Sequence, residues 1–250
     1  MPTNSSHTRV PSFCRTLLSI RPGDPGYPPA ATTWQAWHDP GGLFPDREPV
    51  AGPALAAIGQ LSILTRPSIG LLCSIRCPGN LILTTYDFAK KTPQDGATII
   101  GGFHSPMERT CLATLLARHV PVVYCPGRRL NEKGIPHAYD PALAEGRLVI
   151  VSPFVDSQRH VTRDLAQQRN QFVAALANVL FVPYAMRGGK AEAVVRICLQ
   201  QGKPAYTLAD RENKHLVDVG AYGITLEELL ELAANPATGH ERGRILKPET

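Results

Sequence analysis

From Ile69 onward the chain alternates short apolar runs with longer stretches whose apolar positions recur every three or four residues. Six runs predict strands: Ile69-Gly70-Leu71-Leu72-Cys73, Ala97-Thr98-Ile99-Ile100, Val122-Val123-Tyr124, Leu148-Val149-Ile150-Val151, Val179 to Val182, and Pro204-Ala205-Tyr206-Thr207. None alternates strictly between apolar and polar, the mark of strands covered on both faces. Helical spacing fills the intervals, over Leu81 to Lys91, from Pro106 through Leu116, over Thr162 to Asn178, and over Ala191 to Gln201. Pro106 suits a first helical turn and Gly202 closes the fourth helix. Thr225, with Glu228 three residues on, opens a terminal helix to Ala234 through a capping box. Crossovers of this length permit parallel pairing, so the pattern predicts an α/β fold: a Rossmann-like, doubly wound, mostly parallel sheet with helices on both faces.

Residues 1–52 differ in texture. They are rich in Pro, Gly, Ser and Thr, with turn signals at Arg21-Pro22-Gly23-Asp24-Pro25-Gly26 and Asp39-Pro40-Gly41-Gly42. They read as an irregular arm, with Trp34 and Trp37 as anchors onto a body spanning 53–235; residues 236–250 read as a flexible tail. A hydrophobic content of 43% with 19% charged residues excludes a disordered or coiled-coil chain. The apolar run Phe172 to Val182, interrupted by Asn178, is too short to cross a bilayer, and the first twenty residues lack the pattern of a signal peptide. A cytoplasmic protein with no membrane partner is expected.

A net charge of +5 permits an anionic partner without demanding one. Cys73 and Cys77 form a C-x3-C pair, but no second clustered pair completes a zinc pattern. The six cysteines (Cys14, Cys73, Cys77, Cys111, Cys125, Cys198) read as reduced, mostly buried thiols, and neither a metal nor a cofactor is expected.

Ligands of open parallel sheets bind at the carboxyl ends of the strands. There the sequence places Ser74 and Arg76 after the first strand; Gly101, Gly102, His104 and Ser105, then Glu108, after the second; Cys125-Pro126-Gly127-Arg128-Arg129 after the third; and Arg187-Gly188-Gly189-Lys190 after the fifth. Glycine lets backbone N–H groups approach an anion, hydroxyls donate to phosphate oxygens, and Arg76, Arg187 and Lys190 supply charge. A phosphate-bearing ligand fits this edge; the other reading is that turns simply require glycine and serine. There is no Walker A loop and no G-x-G-x-x-G after the first strand. His104 and Glu108 suit either an acid–base pair or a hydrogen-bonded pair at a helix start, the second being the commoner use of such residues. Arg169 and Asn170 sit inside an otherwise apolar helix, where a solvated face is the ordinary reading.

Read in order, these segments resemble the DprA/Smf family of DNA-processing proteins. Gly59-Gln60-Leu61-Ser62-Ile63-Leu64 leading to Leu71-Leu72-Cys73-Ser74-Ile75-Arg76 is similar to the family's glycine, spacer and strand ending in Gly-Ser/Thr-Arg. Gly101-Gly102-Phe103-His104-Ser105-Pro106-Met107-Glu108 resembles Ser-Gly-x-Ala-x-Gly-Ile-Asp. Arg169-Asn170-Gln171, running into Phe172 to Ala177, resembles Arg-Asn-Arg with Ile-Ile-Ala-Gly-Leu-Ser, and Gly188-Gly189-Lys190-Ala191 falls on Ser-Gly-Ser-Leu. The resemblance covers about residues 55 to 208. It implies a non-enzymatic protein that binds single-stranded DNA in a basic pocket, dimerises and assists a recombinase during transformation, with Ser74, Gly101, Gly102, Arg169, Gly188, Gly189 and Lys190 at the phosphates and Arg76 one position displaced. A small nucleotide-derived ligand in the same cleft is the alternative. The chain departs from the pattern at Cys73 (glycine), Gln171 (the second arginine), Pro183 (an acidic residue) and Leu112 (often histidine), and its length leaves no room for the usual winged-helix domain. The related LOG-type phosphoribohydrolases place a catalytic glutamate where Val195 stands, which argues against glycosidic-bond cleavage.

Overall fold

A computed structural model of the chain describes residues 15–32, 34, 52–155 and 162–235. Cys14, Trp37 and the predicted tail lie outside the described residues. The described strands are β1 (Leu18–Ile20), β2 (Leu55–Gly59), β3 (Ser68–Leu71), β4 (Thr98–Gly101), β5 (Val122–Tyr124), β6 (Leu148–Ser152), β7 (Val179–Phe181), β8 (Ala205–Leu208) and β9 (Tyr222–Ile224). They form one sheet in the order β1-β2-β6-β5-β4-β3-β7-β8-β9. From β6 to β9 every pairing is parallel, while β2 joins β6, and β1 joins β2, antiparallel. The sheet is thus the doubly wound, mostly parallel one that the apolar runs predict.

The helices are α1 (Gly79–Lys91), α2 (Pro106–Ala117), α3 (Asp140–Ala144), α4 (Arg163–Leu176), α5 (Lys190–Gln200), α6 (Lys214–Asp218) and α7 (Leu226–Ala234). Two cores flank the sheet. Phe88 of α1, Leu115 of α2 and Leu229 of α7 pack with Ile69, Leu71 and Phe181 on one face. Phe172 and Val173 of α4 and Val194 and Cys198 of α5 pack with Leu72, Leu180 and Val182 on the other. Neighbouring positions of one strand therefore point into opposite cores, which explains why the runs are apolar throughout.

Three strands escape the sequence reading. β1 and β9 are three residues each and carry exposed or half-buried positions, and β2 precedes the rhythmic part of the chain. The arm is accordingly less irregular than its composition suggests. Ser19 pairs with Ala56, and Trp34 is buried edge-on against Phe172 and Phe154, with centroids 5.3 and 6.4 Å away. Strand β3 ends at Leu71, short of Cys73, because the next amides turn elsewhere: Cys73 N–H donates to Glu108 Oε1 (3.1 Å) and Ser74 N–H to the Tyr184 carbonyl (3.0 Å).

One junction positions the site. The chain steps from β3 through β4 and β5 to β6, then crosses back to lay β7 on the other side of β3. Asn178 pins this return: its Oδ1 accepts from Ser68 N–H (2.9 Å) and Oγ (3.0 Å), and its own N–H donates to the Ser68 carbonyl (3.2 Å). The connections diverge at the carboxyl ends of β3 and β7, the switch point that opens a crevice in such sheets.

Candidate functional site

Glu108 organises the β3 and β4 ends. It is 5% exposed, and its carboxylate accepts from the N–H groups of Cys73, His104 (3.0 Å) and Ser105 (2.9 Å), while Ser105 Oγ accepts from Glu108 N–H (3.2 Å). This is a capping box on α2 that also ties in the β3 turn. Every contact recorded for its oxygens is a backbone amide, so of the two readings of His104 and Glu108 the structure shows the framework one. The two are joined through the His104 backbone, and the His104 side chain is exposed. Glu108 belongs to the frame.

Arg169 is the buried cation of the site. Its helix, α4, starts on Thr162, whose hydroxyl accepts from Leu165 N–H (3.2 Å), and packs its Phe172–Leu176 stretch into the core. That register turns Arg169 inward, at 5% exposure, contrary to the solvated face that its sequence context suggests. Asn170 Oδ1 accepts from its Nε (2.8 Å). The guanidinium lies so close over Gly102 that a Cβ there would overlap it. Gly102 is glycine because the arginine occupies the side-chain space. Burial lowers the pKa of Arg169, and the nearby Glu108, Cys125 and Tyr124 oppose that shift.

Phe103, next in the chain, holds φ +43°. That left-handed conformation disfavours a bulky side chain. Its ring folds back against Gly101, where a Cβ would come within 2.8 Å of it, and sits 6.1 Å from the Tyr124 ring.

The β7 side comes to the same edge through Ser74, whose Oγ accepts from Met186 N–H (2.9 Å). Gly188 follows with φ +67° and open space around its Cα, and its N–H donates to Glu192 Oε2 (2.9 Å). Gly189 is the N-cap of α5 and offers no side chain to the first turn, leaving helix-start amides available to an anion. Lys190, the first residue of α5, reaches the start of the neighbouring helix, its Nζ donating to the Arg163 carbonyl of α4 (2.7 Å). Arg76 and Arg187 are exposed, and beside them stand two exposed apolar side chains, Ile75 and Met186. Ser74, Gly101, Gly102, Ser105, Glu108 and Arg169 are thus linked through direct contacts or adjacency, with Gly188, Gly189 and Lys190 joined through the β7 turn. Arg76 makes no recorded contact with the rest.

Cys73 and Cys77 are half-buried and lie close together at the β3 turn. Cys77, with burial adding to its effect, raises the pKa of Cys73, and Cys73 lowers the pKa of Cys77 against the effect of burial.

Sequence reasoning passes over two features. Lys203 donates to the carbonyls of Ala174, Ala175 and Ala177 (2.6, 2.7 and 2.6 Å), capping the C-terminus of α4. A cavity of about 310 Å³ opens at the ends of β5 and β6, walled by Tyr124, Tyr139 and Leu130 with Arg128 and Asn131 among its polar groups. Its signal lies in the third strand end, where Pro126-Gly127 and two arginines follow an aromatic residue; Tyr139 comes from a segment with no readable pattern.

No curated protein sequence matches the chain. Among solved structures, the fold is similar to DNA processing protein A of Streptococcus pneumoniae, with a TM-score of 0.65 at 13% identity over 88% of this chain and 75% of that one. It is also similar to DNA processing protein A of Helicobacter pylori, which binds single-stranded DNA, with a TM-score of 0.63 at 17% identity over 86% of this chain and 94% of that one. Likeness at this identity speaks for the fold alone. The family model of DNA recombination-mediator protein A matches residues 22–228, and the chain belongs to that family.

Proposed function

We infer that the chain binds single-stranded DNA along the carboxyl edge of its parallel sheet, as a DNA-processing protein that does no chemistry on the strand. The observation that carries this reading is the arginine–glycine cradle at the switch point. Arg169 is buried and held by Asn170, with its guanidinium close over Gly102 and no ion pair to a carboxylate among the described residues. A buried guanidinium is costly unless something compensates its charge; nearby Glu108 does so in part, and a phosphate would complete it. The exposed Arg76, Arg187 and Lys190 extend positive character along the edge, where the Gly188 N–H is already taken by the Glu192 carboxylate. The absence of catalysis is supported by the full use of Glu108 in backbone contacts and by Val195 in place of an acid.

The test is fluorescence anisotropy with a labelled oligothymidylate at rising salt. Wild type retains the strand at low salt, and log affinity falls linearly with log salt. Lys190→Ala weakens binding severalfold and makes the slope shallower by about 0.7, one phosphate contact's worth. Failure of the wild type to retain the oligonucleotide at low salt rejects the reading. A free nucleotide as ligand is the second reading, favoured by the cavity beside the cradle, and binding of thymidine monophosphate without retention of the oligonucleotide selects it.

A further inference from the structure

We propose that Cys73 and Cys77 are a peroxide-reactive dithiol that closes reversibly into a disulfide and draws in the loop carrying Arg76. The bond itself is independent of the phosphate reading above; its effect on a bound ligand rests on that reading.

The pair occupies a strand–turn–helix corner. Both side chains pack, half-buried, against the core beneath α1, and they lie close together where β3 hands over to that helix. The resembled family pattern has glycine at the position of Cys73, so the pair is this chain's own feature. Cys111, Cys125 and Cys198 are fully buried by contrast.

Two features make Cys77 the attacking sulfur. It lies two residues before α1, whose N-cap is Pro78, whose start takes no side-chain cap and whose first turn holds no acid. Unshielded amides at a helix start favour a thiolate. Cys73 acts in the same direction, lowering the pKa of Cys77 against the effect of burial. Cys73 itself, its pKa raised by Cys77 and by burial, stays a thiol and is the resolving sulfur.

The corner can close at little cost. Its ends are fixed: Cys73 N–H donates to Glu108, Ser74 N–H to the Tyr184 carbonyl, and Ile82 N–H to the Pro78 carbonyl (3.0 Å). Between them Ile75 and Arg76 are exposed, Ile75 at 73%, and neither makes a recorded hydrogen bond. The bond recorded for Cys77 is a long one, from Sγ to the Pro78 carbonyl (3.7 Å). A disulfide therefore gives up one weak thiol contact and none of the backbone bonds that hold the turn. Arg76 stands between the two sulfurs in the chain, so closure moves it.

The Cys77 thiolate attacks one oxygen of hydrogen peroxide. An S–O bond forms, the O–O bond breaks, and the departing hydroxide leaves as water with the proton that the Cys77 thiol has lost. The Cys73 sulfur then attacks the Cys77 sulfur. The S–S bond forms, the S–O bond breaks, and the second hydroxide leaves as water with the Cys73 proton. The two sulfurs have given two electrons to the peroxide, and exchange with a dithiol reductant restores them.

The experiment treats reduced, folded protein with a modest excess of hydrogen peroxide, blocks the remaining thiols with iodoacetamide in denaturant and maps tryptic peptides. Cleavage after Arg76 separates the two cysteines, so their bond appears as a linked peptide pair that dithiothreitol abolishes. The expected result is this pair in wild type, ahead of any oxidation of Cys111, Cys125 or Cys198. Cys73→Ser is expected to leave a sulfenic acid at Cys77 that dimedone captures, with far-ultraviolet circular dichroism confirming that each variant is folded. Passage of Cys77 to sulfinic acid without a linked pair, or equally fast oxidation of the three buried thiols, overturns the proposal. On the same preparations, oxidised wild type is expected to bind the labelled oligothymidylate severalfold more weakly than reduced, while peroxide leaves Cys77→Ser unchanged. Equal affinity of the oxidised and reduced protein overturns the effect on the ligand. If the reduced protein retains no oligonucleotide, the phosphate reading falls and the peptide map still decides the disulfide.

Discussion

Glycine 102 shows how little a single position needs to say in order to matter. Its missing side chain is the space that Arg169 occupies, so Gly102→Ala forces either the guanidinium or the β4 turn to move. The expected cost is about 1–3 kcal/mol of unfolding free energy, read by urea denaturation, together with weaker binding to any anion at the cradle. Gly188→Ala makes the contrast. Nothing lies near its Cα, but φ +67° penalises a β-carbon, so a loss of about 1 kcal/mol is expected without displacement of Arg169. Cysteine chemistry gives a second contrast at this scale. Cys77 is half-buried and its thiolate is favoured by Cys73, whereas Cys111, Cys125 and Cys198 are buried. Brief treatment with iodoacetamide followed by peptide mapping is expected to find Cys77 alkylated first among these five, ahead of Cys73. That these residues share one edge of the sheet was legible because glycine and serine cluster at the turns that follow its strands. The inward turn of Arg169 was not legible, since a polar residue in an amphipathic helix reads the same whether it faces water or a buried crevice.

At the level of elements, the caps carry more than punctuation. The Ser105–Glu108 box starts α2 and also anchors Cys73, so one glutamate couples a helix to the neighbouring strand end. The box at Thr225 and Glu228 only starts α7 and lies at the surface. Thr225→Ala is expected to cost about 1 kcal/mol, the usual worth of a cap, and Glu108→Gln appreciably more, because the buried acceptor of three amides loses its charge; paired thermal denaturation measures the difference. Both boxes carry the same Ser/Thr-x-x-Glu spacing, but at Ser105 the sequence reading gives these residues to a ligand site and at Thr225 to a cap. The central strands were readable for a related reason: a strand covered on both faces writes itself as an unbroken apolar run. The edges β1 and β9 have one poorly covered face and three residues each, too little pattern to separate them from loop.

Across the whole molecule, burial sets how stability answers to pH. Burial pushes Cys111 and Cys198 up to about 12 from an ordinary 9.0. Between those values the unfolded chain has lost protons that the folded one keeps, so stability falls as pH rises above 9. Lys203 acts the other way. Burial draws it down to about 8 from 10.5, so in that interval the unfolded chain binds the extra proton and stability gains with pH. Melting temperatures from pH 8 to 10.5 are expected to decline above pH 9, more steeply in Lys203→Met, where the opposing contribution is gone, and less steeply in Cys111→Ala/Cys198→Ala. None of the described helices is long and apolar enough to cross a membrane.

The pin between Ser68 and Asn178 has a consequence in time as well as in space. These residues are 110 positions apart. At a synthesis rate of ~5–20 residues per second, β7 leaves the ribosome roughly 5–20 seconds after β3. Within that interval Gly102 is made about a third of the way through and Tyr139 about two thirds, whereas Arg169 comes only near its end and the β7 turn after it. A growing chain therefore passes through a stage in which its β4 and β5 ends are made and its anion cradle is not. Under the phosphate reading proposed above, competence to hold the ligand arrives late, and nearly at once, as the returning strand docks.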